Sequence, residues 1–177
     1  MDEFYGRNMA DVGFGEDELV PLAQLYGRWA RVYNERGEEF FAGEVSWSEN
    51  ELVQATARQP GARAWYLVDE AALDQRVRER TVREIIASAP TRVELSELPF
   101  EPPSDAVAAV RVAAAITYTI GGLAIDERAR VLSEDGSPLD GLFAAGVDAG
   151  GLSTGGYASG LAAAIVFGRL AAETALS

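Results

Sequence analysis

The residues most suited to chemistry lie near the end of the chain, where glycines from Gly146 to Gly156 separate an apolar run ending at Ala145 from another that begins near Tyr157. The order is strand end, glycine-rich loop, helix start. Glycine lets a backbone approach a planar or anionic ligand closely, and the free amides of a helix N-terminus direct positive partial charge toward it. The same glycines would also serve a plain turn from strand to helix, and the two readings stand side by side. The spacing is not G-x-G-x-x-G, and the segment closes the chain instead of opening a βαβ unit, so it is not a dinucleotide fingerprint.

What the chain lacks narrows its chemistry further. Its 177 residues include no cysteine, no histidine and no lysine. Disulfides, Cys/His zinc sites, a Ser-His-Asp triad, a Schiff-base lysine and a P-loop are thereby removed. A reactive group must then come from a cofactor or another segment, assisted by Arg, Tyr, Asp, Glu, Ser or Thr. The 28 acidic residues outweigh 15 basic ones, giving a net charge of −13. That balance argues against nucleic acid and anionic lipid as partners. The first residues, Met1-Asp2-Glu3-Phe4, carry no basic region or apolar run, and the last apolar stretch is broken by Arg169 and Glu173. The expectation is a soluble cytoplasmic protein with no signal peptide and no membrane span.

These residues need elements to position them. Leu19, Leu22, Leu25, Tyr26, Trp29, Val32 and Tyr33 recur at three- and four-residue spacings, which predicts an amphipathic helix over residues 16–34. Ser48 with Glu51 has capping-box spacing and predicts a short helix reaching about Ala57. Residues 64–68 form a strand, and 69–89 read as a helix rich in Arg and Glu, ended by Pro90. Pro99, Pro102 and Pro103 mark a junction. Beyond it the pattern predicts strands at 107–120, 123–132 and 142–145, a turn at 134–138, and a final helix over 157–176.

The run ITYTIGGLAIDERARVLSEDGSPLDGLFAAGVDAGG, continued by SGLAAAIVFGRLAAE, resembles the closing segment of the fumarate reductase/succinate dehydrogenase flavoprotein family, which includes 3-ketosteroid dehydrogenases and tricarballylate dehydrogenase. The shared elements are a T-x-GG strand, an arginine-valine hairpin, a G-L-F-A-A-G strand, an A-G-G loop and a helix carrying F-G-R. Phe4-Tyr5-Gly6, Val32-Tyr33-Asn34 and Arg36-Gly37-Glu38-Glu39-Phe40 resemble the family's substrate-capping domain.

The resemblance implies an α/β (α+β) chain: a partial α+β capping domain at 1–98, a proline-rich junction at 99–104, and the C-terminal part of a Rossmann-like FAD-binding domain at 105–177. It implies FAD as cofactor, with Ser159, Gly160 and Leu161 under the flavin and Gly146 and Asp148 near its ribityl chain. Val147 stands where the family often has a glutamate. Tyr118 stands where dicarboxylate-reducing members carry histidine, and their loop arginine is replaced by Gly155, Gly156 and Tyr157. A ligand with fewer charges than fumarate or succinate is therefore expected. Tyr118 and Tyr157 are candidate hydroxyl donors or packed aromatics. Arg58, and with it Arg63, is a candidate acid or clamp, or a surface residue. The family's glycine-rich phosphate-binding unit has no counterpart here, so the expected partners are an N-terminal FAD-binding half and a small-molecule substrate. The implied function is an FAD-dependent oxidoreductase portion that moves hydride; the alternative is a non-catalytic remnant or interaction module.

Overall fold

The computed structural model describes residues 4–13, 15–151 and 158–177. Two units follow from their internal contacts: Gly6–Ala115, the first, and Met1–Tyr5 with Ile116–Ser177, the second. The proline-rich stretch at 99–104 falls inside the first unit.

The first unit begins along β1 (Phe4–Ala10). The helix expected over 16–34 does not form. Residues 16–18 make a 3-10 turn, α1 is only Leu19–Leu22, a second 3-10 turn spans Gly27–Trp29, and β2 occupies Arg31–Tyr33. Two tertiary demands override the helical spacing. A Cβ at Gly27 would lie 2.2 Å from Leu52 Cδ2, so this turn is pressed into the core at a bare backbone. Residues 31–33 are paired on both sides, with β3 (Glu39–Phe41) and with β4 (Arg63–Val68).

Helix α2 is Asn50–Ala57, one residue later than Ser48 predicts. Glu49 holds the cap position with φ 54°, and Glu51 accepts from the Ser46 hydroxyl at 2.7 Å instead of closing a box with Ser48. The helix expected over 69–89 is two short helices around a hairpin: α3 (Glu70–Leu73), β5 (Arg76–Val77), β6 (Arg80–Thr81) and α4 (Val82–Ser88). Arg78 at φ 56° reverses the chain, and Thr81 restarts a helix by accepting from the Glu84 amide while Glu84 Oε2 accepts from the Thr81 amide at 2.7 Å. The break lets Leu73 and Val82, Ile85 and Ile86 all reach one core.

β7 (Arg92–Val93) and β8 (Ala108–Thr119) complete the sheet, whose order is β1-β8-β4-β2-β3 with β7 also on β8. Alternation along β4 explains why the strand is buried on both faces. Ala64, Tyr66 and Val68 join the helices' core; Trp65 and Leu67 join a second cluster with Tyr33 and Ala109, covered by Leu98 and Phe100.

In the second unit, the strand expected at 123–132 reduces to single bridges at Leu123 and Ile125 and to β9 (Arg130–Leu132). Asp126 causes this: its carboxylate accepts from the amides of Arg128 and Arg130 and from Arg130 Nε, turning the chain. The following strand, β10 (Pro138–Phe143), starts earlier than expected and pairs antiparallel with β9. Helix α5 (Ala158–Ala175) closes the chain. Helices and strands are thus mixed in both units, as the α/β (α+β) reading expects. Among the described residues no helix is long and apolar enough to cross a membrane, and none of their His, Cys, Asp and Glu side chains cluster to hold a metal ion.

Candidate functional site

The glycines of the second unit divide by purpose. After β8, Gly122 passes directly against the segment 148–150: the Leu123 amide donates to the Asp148 carbonyl at 2.8 Å and the Gly150 amide to the Leu123 carbonyl at 2.9 Å. A Cβ on Gly122 would sit 2.5 Å from the Asp148 carbonyl oxygen, and one on Gly150 would sit 2.6 Å from the Gly122 oxygen. No real side chain tolerates such distances. Half of the GG and AGG signature is therefore a backbone-on-backbone crossing that joins the end of β8 to the turn preceding α5.

Gly146 has φ 65° and lies against α5, where a Cβ would be 3.4 Å from that of Ala164. Gly160, in the first turn of α5, faces Tyr118 of β8: a Cβ there would be 3.1 Å from the ring. Tyr118 is half-buried and stacks on Tyr5 at 5.4 Å between centroids. The fold thus brings Tyr118, Gly146 and Gly160 to α5. The Asp148 carboxylate is exposed while its carbonyl serves the crossing, and Val147 is exposed beside it. Leu161 is 62% exposed. Ser159 belongs to the first turn of α5, whose leading amides have no intrahelical acceptor. Tyr157 lies outside the described residues.

Arg58 belongs to the first unit, where it caps α2 through its backbone amide and leaves its side chain exposed. Arg63 is engaged elsewhere, sharing Asp11 with Arg111 at 2.8 and 2.9 Å.

The first unit also holds a polar cluster that sequence reasoning missed. Glu49 is only 5% exposed; its Oε1 accepts from the Gly27 amide at 2.9 Å, and among the described residues its Oε2 has no hydrogen-bond partner. Burial pushes its pKa up to about 7, opposed by the Gly27 amide and by Arg7 and Arg28. Tyr26 and Tyr66 pack edge to face at 5.5 Å beside it, and burial holds both phenols far above their ordinary range. Asn8 donates to the hydroxyls of Tyr66 and Thr56 at 2.8 and 2.9 Å. Nothing local in sequence marks Glu49, because its burial depends on strands and loops up to forty residues away.

Residues 22–162 match a family model described as the FAD binding domain. A fumarate reductase of Schizosaccharomyces pombe is 47% identical over 62 residues, covering 34% of this chain and 12% of that protein. The probable fumarate reductase Ifc3 of Shewanella frigidimarina is 26% identical over 214 residues, covering 96% of this chain and 36% of its own length. Among solved structures, the open conformation of a flavocytochrome c3 fumarate reductase gives a TM-score of 0.55 at 23% identity, over 97% of this chain and 36% of that one. A 3-ketosteroid-Δ4-(5α)-dehydrogenase from Rhodococcus jostii gives 0.54 at 20% identity, over 89% and 40%. These two likenesses show the fold. The chain spans about a third of the length of the Shewanella relative, which it matches along nearly all of its own residues.

Proposed function

Because the chain belongs to the FAD-binding domain family, we propose that it is the C-terminal portion of an FAD-dependent oxidoreductase, completed by an N-terminal half that binds the cofactor's phosphates. The observation that carries this reading is the glycine-rich approach to α5: Gly122 and Gly150 fix the backbone crossing that precedes the helix, and Gly146 and Gly160 let Ala164 and Tyr118 pack against bare backbone at its start. A close backbone approach at a helix start suits the edge of a flat ring, and the leading amides of an 18-residue helix favour negative charge placed there.

In this reading FAD, when bound, accepts or donates hydride. Gly146, Asp148, Ser159, Gly160 and Leu161 hold its flavin end. Tyr118, half-buried against Gly160 and steadied by Tyr5, offers a hydroxyl for proton transfer to the substrate. Tyr157 and Arg58 are further candidates for that role. Residues 1–98 act as a partial substrate cap and 105–177 as the flavin-edge part.

Co-expression with a polypeptide carrying the G-x-G-x-x-G half tests the proposal. The expected result is a complex that retains flavin absorbance, and that loses it in Gly160→Leu while the two polypeptides still co-purify. A stable complex without flavin would instead favour a non-catalytic interaction module. Exposed Leu161, Ile165 and Val166 on α5 suit an interface under either outcome.

A further inference from the structure

Glu49 ties together two segments of the first unit that lie 22 residues apart in sequence. Its backbone leads into α2 from φ 54°, the left-handed region that a residue with a Cβ enters only at a cost. Its side chain turns inward, where Oε1 accepts from the Gly27 amide at 2.9 Å, so the 46–49 loop is fastened to the 27–29 turn through this carboxyl. The fit is close: a Cβ on Gly27 would lie 3.5 Å from the Glu49 carboxyl carbon and nearer still to Leu52 and the Tyr66 hydroxyl. A second tie, from Arg28 Nη2 to the Val45 carbonyl, is long at 3.4 Å. The fastening therefore depends on Glu49.

Beside this contact lies a cleft of about 260 Å³, whose walls include Arg7, Arg28, Arg76, Arg78, Trp47 and Glu49. The loop that borders it is anchored lightly, for Trp47 is 73% exposed and Val45 is the buried apolar side chain beside it. The carboxyl itself suits the core only while neutral. Its Oε2 is buried with no partner among the described residues, and a carboxylate holding one hydrogen bond there lacks the solvation that its charge requires. The neighbouring cleft offers that charge a way to water.

We propose that Glu49 is a latch between the 46–49 loop and the 27–29 turn: neutral, it holds the loop closed; ionised, it gives its proton to solvent, leaves the Gly27 amide for water in the cleft, and the loop lifts with it. The device lies wholly within the first unit and does not rest on the flavin reading.

The direction with pH follows from the two states. Closed, burial raises the Glu49 pKa to about 7, and Arg7 and Arg28 oppose burial without cancelling it; open, the carboxyl regains its ordinary 4.5. Opening thus releases a proton, becomes easier as pH rises from 4.5 to 7, and levels off above that. The other groups around Glu49 keep one charge state throughout: the guanidinium groups of Arg7 from β1, Arg28 from the turn, and Arg76 and Arg78 from the β5–β6 hairpin are cationic, while the buried phenols of Tyr26 and of Tyr66 from β4 are neutral. Glu51, on the same helix, is turned to the Ser46 hydroxyl at 2.7 Å.

Native-state amide hydrogen exchange of the full chain, followed by NMR at pH 5 and pH 8 over a range of low urea concentrations and corrected for intrinsic exchange, tests the latch. A lifting loop uncovers little surface, so the Gly27 amide should exchange through an opening that urea does not promote. That opening should be at least about tenfold more populated at pH 8 than at pH 5. The Tyr66 amide, in a strand paired on both sides, should instead exchange through urea-promoted global unfolding. In Glu49→Gln, which keeps an acceptor for the Gly27 amide, the local opening should be equal at the two pH values. Gly27 exchange that follows urea in step with Tyr66 overturns the proposal, because the turn would then open only with the whole unit; the wild type alone decides this. A pH difference of full size in Glu49→Gln overturns Glu49 as the trigger.

Discussion

Glu49 carries a stability cost that can be measured by itself. Its pKa in the folded chain is about 7 against an ordinary 4.5, so folding favours the protonated carboxyl. Below pH 4.5 both folded and unfolded chains hold that proton, and its contribution is unaffected. Between 4.5 and 7 the unfolded chain releases the proton first, and stability falls with rising pH. Above 7 the loss is complete, on the order of 3 kcal/mol. Glu49→Gln keeps an acceptor for the Gly27 amide and cannot ionise. Its urea midpoint, measured at pH 5 and pH 8, is expected to change less than the wild type's and to exceed it at pH 8. Equal pH slopes in both proteins would place the titration elsewhere. Neighbouring Gly27 has the opposite character: no side chain fits between Leu52 and the Tyr66 hydroxyl, so its constraint is steric and independent of pH.

At the scale of elements, the helices of the first unit are short and depend on their ends. Helix α4 has only seven residues, and its Thr81–Glu84 box satisfies two orphan amides. Isolated helices of that length are unstable, and the cap decides whether Val82, Ile85 and Ile86 are presented to the core together. Thr81→Ala is expected to cost about 1 kcal/mol in denaturant unfolding. Thr81→Ser should recover most of it, since the hydroxyl is what accepts from Glu84. An equal loss in Ser and in Ala would show that the threonine methyl, not the cap, matters. Helix α5 is different in kind: at 18 residues it is long enough to present a continuous exposed apolar face.

For the whole molecule, that face is the feature with the widest consequence. Ile165 is 72% exposed, with Leu161 and Val166 nearby on the same helix. Contiguous exposed apolar surface marks an interaction site or an aggregation liability. Ile165→Gln should lower the binding of a hydrophobic dye and reduce concentration-dependent association in sedimentation, while leaving the far-ultraviolet circular dichroism unchanged. If the wild type already sediments as a dye-silent monomer at high concentration, the exposed face is not sticky enough to act as a docking surface.

Much of this chain is written locally. Loss of Cys, His and Lys limits the chemistry, and the spaced glycines after Ala145 announce a turn with close backbone approach; both facts need no neighbours to be read. Strands β4 and β8 are also legible, because β-branched and aromatic runs fit a sheet buried on both faces wherever it is placed. Tertiary contact decided the rest. Residues 31–33 left a helical pattern because two strands bid for their amides, and 69–89 broke into pieces so that both ends could reach one core. Which glycines serve the crossing at Gly122 and Gly150, and which let side chains pack closely at α5, emerges only when distant backbones meet. So do the burial of Glu49 and the convergence of four arginines on one cleft. A carboxyl's solvation and a cleft's charge are properties of what surrounds them in space, and sequence spacing does not contain those distances.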